Sequence, residues 1–304
     1  MEETLCIYCK GDARDAKGEE HVAPECLGYQ VTLPLGTVCD ACNGYLSKLD
    51  SIALAHPRLG EAVMLSGVRG KTGKPRNRSQ DERMSVERRA TGETVLTMTL
   101  LDPKAHKPIR FTKIGEQLDL PIVTAPPRDF TASKFSRSLH KIGLNSTCYR
   151  MGHSFVLQSE CDAVRKFVRQ PHTAHEFRAY GQYGGSERPA SWRFTPYESK
   201  SRHGIRWILD MPLHGHAFAV CVNGDHGNAL EVLRAHARTR PGLDILCSAK
   251  QAMAALPSRN PLTYVTAKPD DGKPDFLIEI AMMKLEITFK KDETSADSPG
   301  PPRS

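Results

Sequence analysis

The sequence predicts an α+β protein in two unequal parts: a small ββα unit clamped by cysteines at the N-terminus, and a larger mixed α+β domain after it. Three observations predict this. Two Cys-x-x-Cys pairs, Cys6-Ile7-Tyr8-Cys9 and Cys39-Asp40-Ala41-Cys42, enclose 29 residues (positions 10 to 38). A stretch with apolar residues at 45, 46, 49, 52 and 53 follows the second pair, which is helical spacing. From residue 129 to about 290, helical patterns precede and then mix with strand patterns.

The ββα unit is expected over residues 1–56. Gly28 to Cys39 reads as a strand, a turn at Pro34-Leu35-Gly36 and a second short strand at Thr37-Val38. The helix after it takes Asp40 as its N-cap and His56-Pro57 as its stop. Residues 57–128 read as a connector. Within it, residues 69–89 hold eight Lys/Arg and three Asp/Glu with Gly70, Gly73 and Pro75, a basic loop. Val95–Leu101 and Ile109–Ile114 look like a strand pair. Residues 129–151 are read as a helix with a partial stripe of Phe135, Leu139, Ile142 and Leu144, and Cys161 to Val168 as a shorter one. Strands are expected at Glu176 to Tyr180, Ser191 to Phe194, Ile205 to Leu209 and Ala217 to Val222, and a helix at Ala229 to Arg238. Phe276 to Phe289 starts as a strand, and residues 291–304 read as a disordered tail. There is no internal repeat.

Bulk properties narrow the class. No apolar run approaches the 18 or so residues of a membrane span, and the acidic start Met-Glu-Glu-Thr-Leu-Cys has no signal-peptide core, so the chain is read as cytoplasmic with no membrane partner. Nine cysteines is an odd count. In a reducing compartment the paired ones read as metal ligands, and Cys26, Cys148, Cys161, Cys221 and Cys247 as small buried residues. The net charge of +7 is unevenly placed: residues 1–55 carry four Lys/Arg against nine Asp/Glu, a net −5, which leaves +12 on the rest. A polyanion would therefore be held chiefly by residues after 55.

Cys6, Cys9, Cys39 and Cys42 fit a tetrahedral zinc with no open position, a structural site. The loop between the pairs carries Glu20-His21 with Pro24 and Leu27-Gly28, and Asn43 follows the last cysteine directly. His21, with an ordinary pKa near 6.5, can accept a proton at neutral pH. Glu20 and Asn43 offer hard oxygens suited to magnesium or manganese.

This arrangement resembles the HNH family of His-Me finger endonucleases, in the form built on a four-cysteine zinc, of bacteria and phage. The resemblance covers about residues 5–55, under a fifth of the chain. It implies a metal-dependent DNA endonuclease in which His21 is the general base and Glu20 and Asn43 hold one divalent ion, Mg2+ or Mn2+, at the scissile phosphate. The products would carry a 5′-phosphate and a 3′-hydroxyl. Neighbouring strand residues point to opposite faces, and the family resolves this for Glu20 and His21 by seating the ion between the strand edge and the helix start. Members often add a further ligand on the helix. Here Ser47 stands four residues after Asn43, whereas Asp50, seven after it, shares its helical face. Glu19 is an alternative to Glu20 as ligand. The alternative for the whole chain is a zinc-scaffolded nucleic-acid-binding or protein-interaction module without catalysis.

Weaker signals lie further on. Arg137 and Lys141 fall on a helix face that could meet phosphate. His214 and His216, and His172 and His175, are pairs without an accompanying acid or thiol. Trp192 and Trp207 read as core.

Overall fold

The computed structural model describes residues 4–70, 73–75, 84–88, 94–101, 108–114, 132–170, 177–183, 191–199, 204–239, 244–245, 263–266, 276–280 and 283–287. It is a mixed α and β fold with antiparallel sheets and a four-cysteine site near the N-terminus. The expected tail (291–304), parts of the connector, Cys247, and His172 and His175 lie outside the described residues.

The N-terminal unit is a ribbon followed by a helix. The ribbon is one antiparallel bridge, His21 to Thr32, flanked by Val22 N–H donating to Val31 O (2.8 Å) and Leu33 N–H to Glu20 O (2.8 Å). The expected second strand at Thr37-Val38 does not form as a pair. Thr37 O instead accepts the Ile7 N–H at 3.0 Å, which ties the second cysteine pair to the first. Helix α1 (Asp40–Ala55) starts at the residue expected to be its cap: Cys39 is the N-cap instead, and the Asp40 carboxylate accepts the backbone N–H groups of Lys17 (3.0 Å) and Gly18 (2.8 Å). The stop at His56-Pro57 is observed, and it is also a start. His56 Nδ1 accepts the Leu59 N–H at 3.4 Å and Pro57 opens α2 (Pro57–Leu65).

Part of the basic segment is a strand. β1 (Met84–Arg88) pairs antiparallel with β2 (Thr94–Leu101), which pairs with β3 (Pro108–Ile114) as the alternation predicts. After α3 (Ala132–Met151) come the short α4 (His153–Leu157) and α5 (Asp162–Arg169). A five-stranded antiparallel sheet follows, built from β4 (Ala179–Tyr183), β5 (Arg193–Glu198), β6 (Ile205–Leu213), β7 (His216–Cys221) and β8 (Asp244–Ile245) in the order β5-β6-β7-β4-β8. Helix α6 (His226–Arg238) packs on it, N-capped by Asp225. β9 (Thr263–Thr266), β10 (Phe276–Ile280) and β11 (Met283–Ile287) form a second meander.

Among the described residues, helix α3 packs against α1, α4, α5, β4 and β7. Residues 135–148 are buried on every side, although only some are apolar. Several of their polar side chains reach partners outside the helix: Ser138 donates to Leu49 O at 2.7 Å, Ser136 to Phe177 O at 2.7 Å, and Arg137 to Phe167 O (3.1 Å) and Val168 O (2.6 Å). A Cβ on Gly143 would stand 3.0 Å from Val220, so the missing side chain lets α3 lie close on β7. Both apolar clusters cross from the first unit into the rest. Ile7, Tyr8, Leu46 and Leu49 pack with Leu144, Phe167 and Ile208; Leu27, Ala53, Leu59 and Val63 pack with Phe135, Leu139 and Phe218. The buried residues on the two sides of position 56 thus share one interior.

Candidate functional site

The two cysteine pairs converge because each sits in a tight turn. In the first, Lys10 N–H returns to Cys6 O (2.8 Å) and Cys6 N–H to Gly11 O (2.7 Å). The second pair spans the start of α1. The Sγ atoms of Cys6, Cys9, Cys39 and Cys42 all lie within 4.8 Å of one another, with Cys9 and Cys39 at 3.7 Å. A zinc–sulfur tetrahedron has edges of about 3.8 Å. Ionising one thiol opposes the next. Cys6, accepting a hydrogen bond from Cys42, is pulled down to about 4, while that contact pushes Cys42 up and burial pushes Cys9 up. A divalent cation removes the conflict, and four sulfurs close its coordination. The cluster could hold zinc, and none of the eight described cysteines forms a disulfide.

Glu20 and His21 leave the ribbon in opposite directions, as alternation demands. Glu20 points inward and is 5% exposed. Its Oε1 accepts from Lys141 Nζ at 2.9 Å and from Asn145 Nδ2 at 2.7 Å, both on α3. The same Asn145 amide donates to His21 O (2.8 Å), and its Oδ1 accepts the Tyr8 hydroxyl (2.5 Å). Lys141 Nζ also donates to Asp50 Oδ1 at 2.7 Å. Burial pushes the Glu20 and Asp50 carboxyls above their ordinary range, with Lys141 opposing. Burial works to lower Lys141, but the two carboxylates more than reverse it and hold its ammonium above the usual lysine value. Tyr8 is raised well above its ordinary value, by burial first and by these carboxylates second, so it stays a phenol.

His21 keeps part of its ring at the surface. Its Nε2 lies 3.8 Å from Glu25 Oε2, and its Nδ1 is buried without a hydrogen-bond partner. Asn43, in the first turn of α1, donates from Nδ2 to Glu19 O at 3.1 Å, which orients the amide. A Cβ on Gly18 would stand 2.8 Å from that Nδ2, so a side chain there would push the Asn43 amide aside. The structure therefore brings together Glu20, Asp50 and Lys141, with His21 close enough to bias Asp50. Asn43 is tied to the backbone beside Glu20 rather than to its carboxylate. Among the described residues, the four cysteines are the group of three or more His, Cys, Asp or Glu that could hold an ion.

Arg137 and Lys141, expected to face phosphate, are both buried. Other described cations line a cavity. Beside the first cysteine pair, Lys10, Lys166 and Arg169 border a space of about 200 Å3 with Asp162, Arg165 and Gln170. Lys10 takes a left-handed backbone (φ 57°) and pairs with Asp162 at 2.7 Å. His214 closes the β6–β7 hairpin, with Nε2 2.7 Å from Leu27 O. Trp192 stacks edge-on to Tyr29 and, like Trp207, packs against the interior. The residues missed in the sequence are Asn145 and Tyr8. Only Tyr8's place between two ligands marked it.

No protein-family model matches the chain, and no curated protein or solved structure is significantly similar to it. Among the described residues, no helix is long and apolar enough to cross a membrane.

Proposed function

We propose that the chain is a metal-dependent DNA endonuclease of the HNH type. The observation that carries this reading is the position of His21: on a ribbon that leads through a four-sulfur clamp into α1, with a buried Nδ1 that has no partner. In the Nε2–H tautomer that Nδ1 keeps an unshared lone pair, which would take a proton from an attacking water once substrate binding admits one beside it. Glu25 Oε2, 3.8 Å from Nε2, stabilises the imidazolium so formed. Glu20 is held through Oε1 alone by Lys141 and Asn145, and its Oε2 remains for a ligand. Asn43 spends its amide nitrogen on Glu19 O and keeps its carbonyl oxygen. These hard oxygens suit one magnesium or manganese ion, which when bound would stabilise charge developing on the phosphate and leaving oxygen. Lys10, Lys166 and Arg169 are described cations suited to backbone phosphates.

A second reading, a zinc-scaffolded binding module without catalysis, is favoured by one fact: Glu20 already bears two donors at a nearly closed position. Supercoiled plasmid separates the two. With magnesium or manganese the full chain is expected to give relaxed or linear product, and His21→Ala to lose about 10²- to 10⁴-fold in rate. Equal cutting by both proteins, or none by either across metals, rejects the nuclease.

A further inference from the structure

We propose that the Lys141 ammonium, clamped between Glu20 and Asp50, fills one cation position of this site and leaves it room for a single divalent ion. Two carboxylates from separate segments, the ribbon and α1, converge on one point, which is what a bridging dication makes them do. Here the point is held by Nζ, 2.9 Å from Glu20 Oε1 and 2.7 Å from Asp50 Oδ1. The lysine side chain is 3% exposed and arrives from α3, buried on all sides. It is thus a tethered cation that solvent ions cannot exchange. Asn145 fixes the same Glu20 oxygen, so the carboxylate cannot turn away from it. Two carboxylates and one ammonium leave one net negative charge, enough for one dication and poor for two. Lys141 is a positioning residue in this account, and the identity of the outer ion rests on the nuclease reading.

The test is a manganese titration of the zinc-loaded full chain, read from the EPR signal of free Mn2+. Lys141→Met is expected to bind one more Mn2+ per chain than the wild type, and Lys141→Met with Asp50→Asn to lose that gain. Equal binding by the wild type and a folded Lys141→Met overturns the proposal and leaves the nuclease reading standing. Conversely, a wild type that binds no Mn2+, beside a Lys141→Met that binds one, supports the lysine's place and defeats the nuclease reading. Lys141→Met strands a buried carboxylate and can fail to fold. The wild type then answers alone, by amine acylation mapped with mass spectrometry. Lys141 is expected to stay unlabelled with and without Mn2+. Labelling that rises on adding Mn2+ means the ion displaces the lysine, which also overturns the proposal.

Discussion

Single residues here carry their charge states by enclosure. His140 is fully buried on α3, its Nδ1 donating to Ser136 O at 2.8 Å and its Nε2 without a partner, with Phe167 and Phe177 edge-on to the ring. Burial pulls its pKa down to about 4, so it is neutral in the fold. A depressed histidine contributes stability that is full above about pH 6.5 and is lost as pH falls toward 4. The loss approaches roughly 3 kcal/mol in total, at about 1.4 kcal/mol per unit. Denaturant melts at pH 7 and pH 5 are expected to show it, and His140→Leu to flatten it. The raised carboxyls Glu20 and Asp50 act with the opposite sign, so the difference between wild type and variant isolates the imidazole. An unchanged slope in the variant would mean His140 charges without penalty. None of this was readable from the chain. A stripe of Phe135, Leu139 and Ile142 suggests a helix with one wet face, and the sequence cannot show that Ser136, Arg137 and Lys141 find partners from 30 to 121 residues away.

At the scale of elements, the cysteine clamp replaces secondary structure that barely exists. The ribbon is a single bridge, and the expected second strand is a loop whose Thr37 O reaches the first cysteine turn. Cysteine spacing foretold the clamp, and apolar spacing foretold α1 through its stop at His56-Pro57. The second strand was misjudged because the Thr37 carbonyl is spent on Ile7, 30 residues away, a contact that residue type does not announce. One zinc per chain is expected by elemental analysis. Binding of structural zinc is worth about 10–16 kcal/mol, comparable with the stability of a whole domain. Strong chelation, or Cys39→Ser, is therefore expected to unfold the first unit, seen as lost helicity by circular dichroism. Chelated protein that keeps its full helical signal and its melting temperature would show the sulfurs to be incidental.

Across the whole molecule, the first 56 residues do not keep their apolar side chains to themselves. Tyr8, Leu46 and Leu49 face α3 and its neighbours, and Leu27 and Ala53 join Phe135 and Phe218. A 1–56 fragment supplied with zinc is expected to show little fixed tertiary structure by near-ultraviolet circular dichroism. A rigid, cooperatively melting fragment would establish that it is self-sufficient. The sequence suggested a boundary here because the helical spacing stops at His56-Pro57; packing across that point is long-range and leaves no local trace. The Tyr8 hydroxyl links the cysteine clamp to α3. It hangs from the loop between Cys6 and Cys9, and it steadies the amide that steadies Glu20. An atom of zinc that takes part in no bond-making would thereby set how still the acid stands, and starving the chain of that atom would blur the acid before the helices came apart.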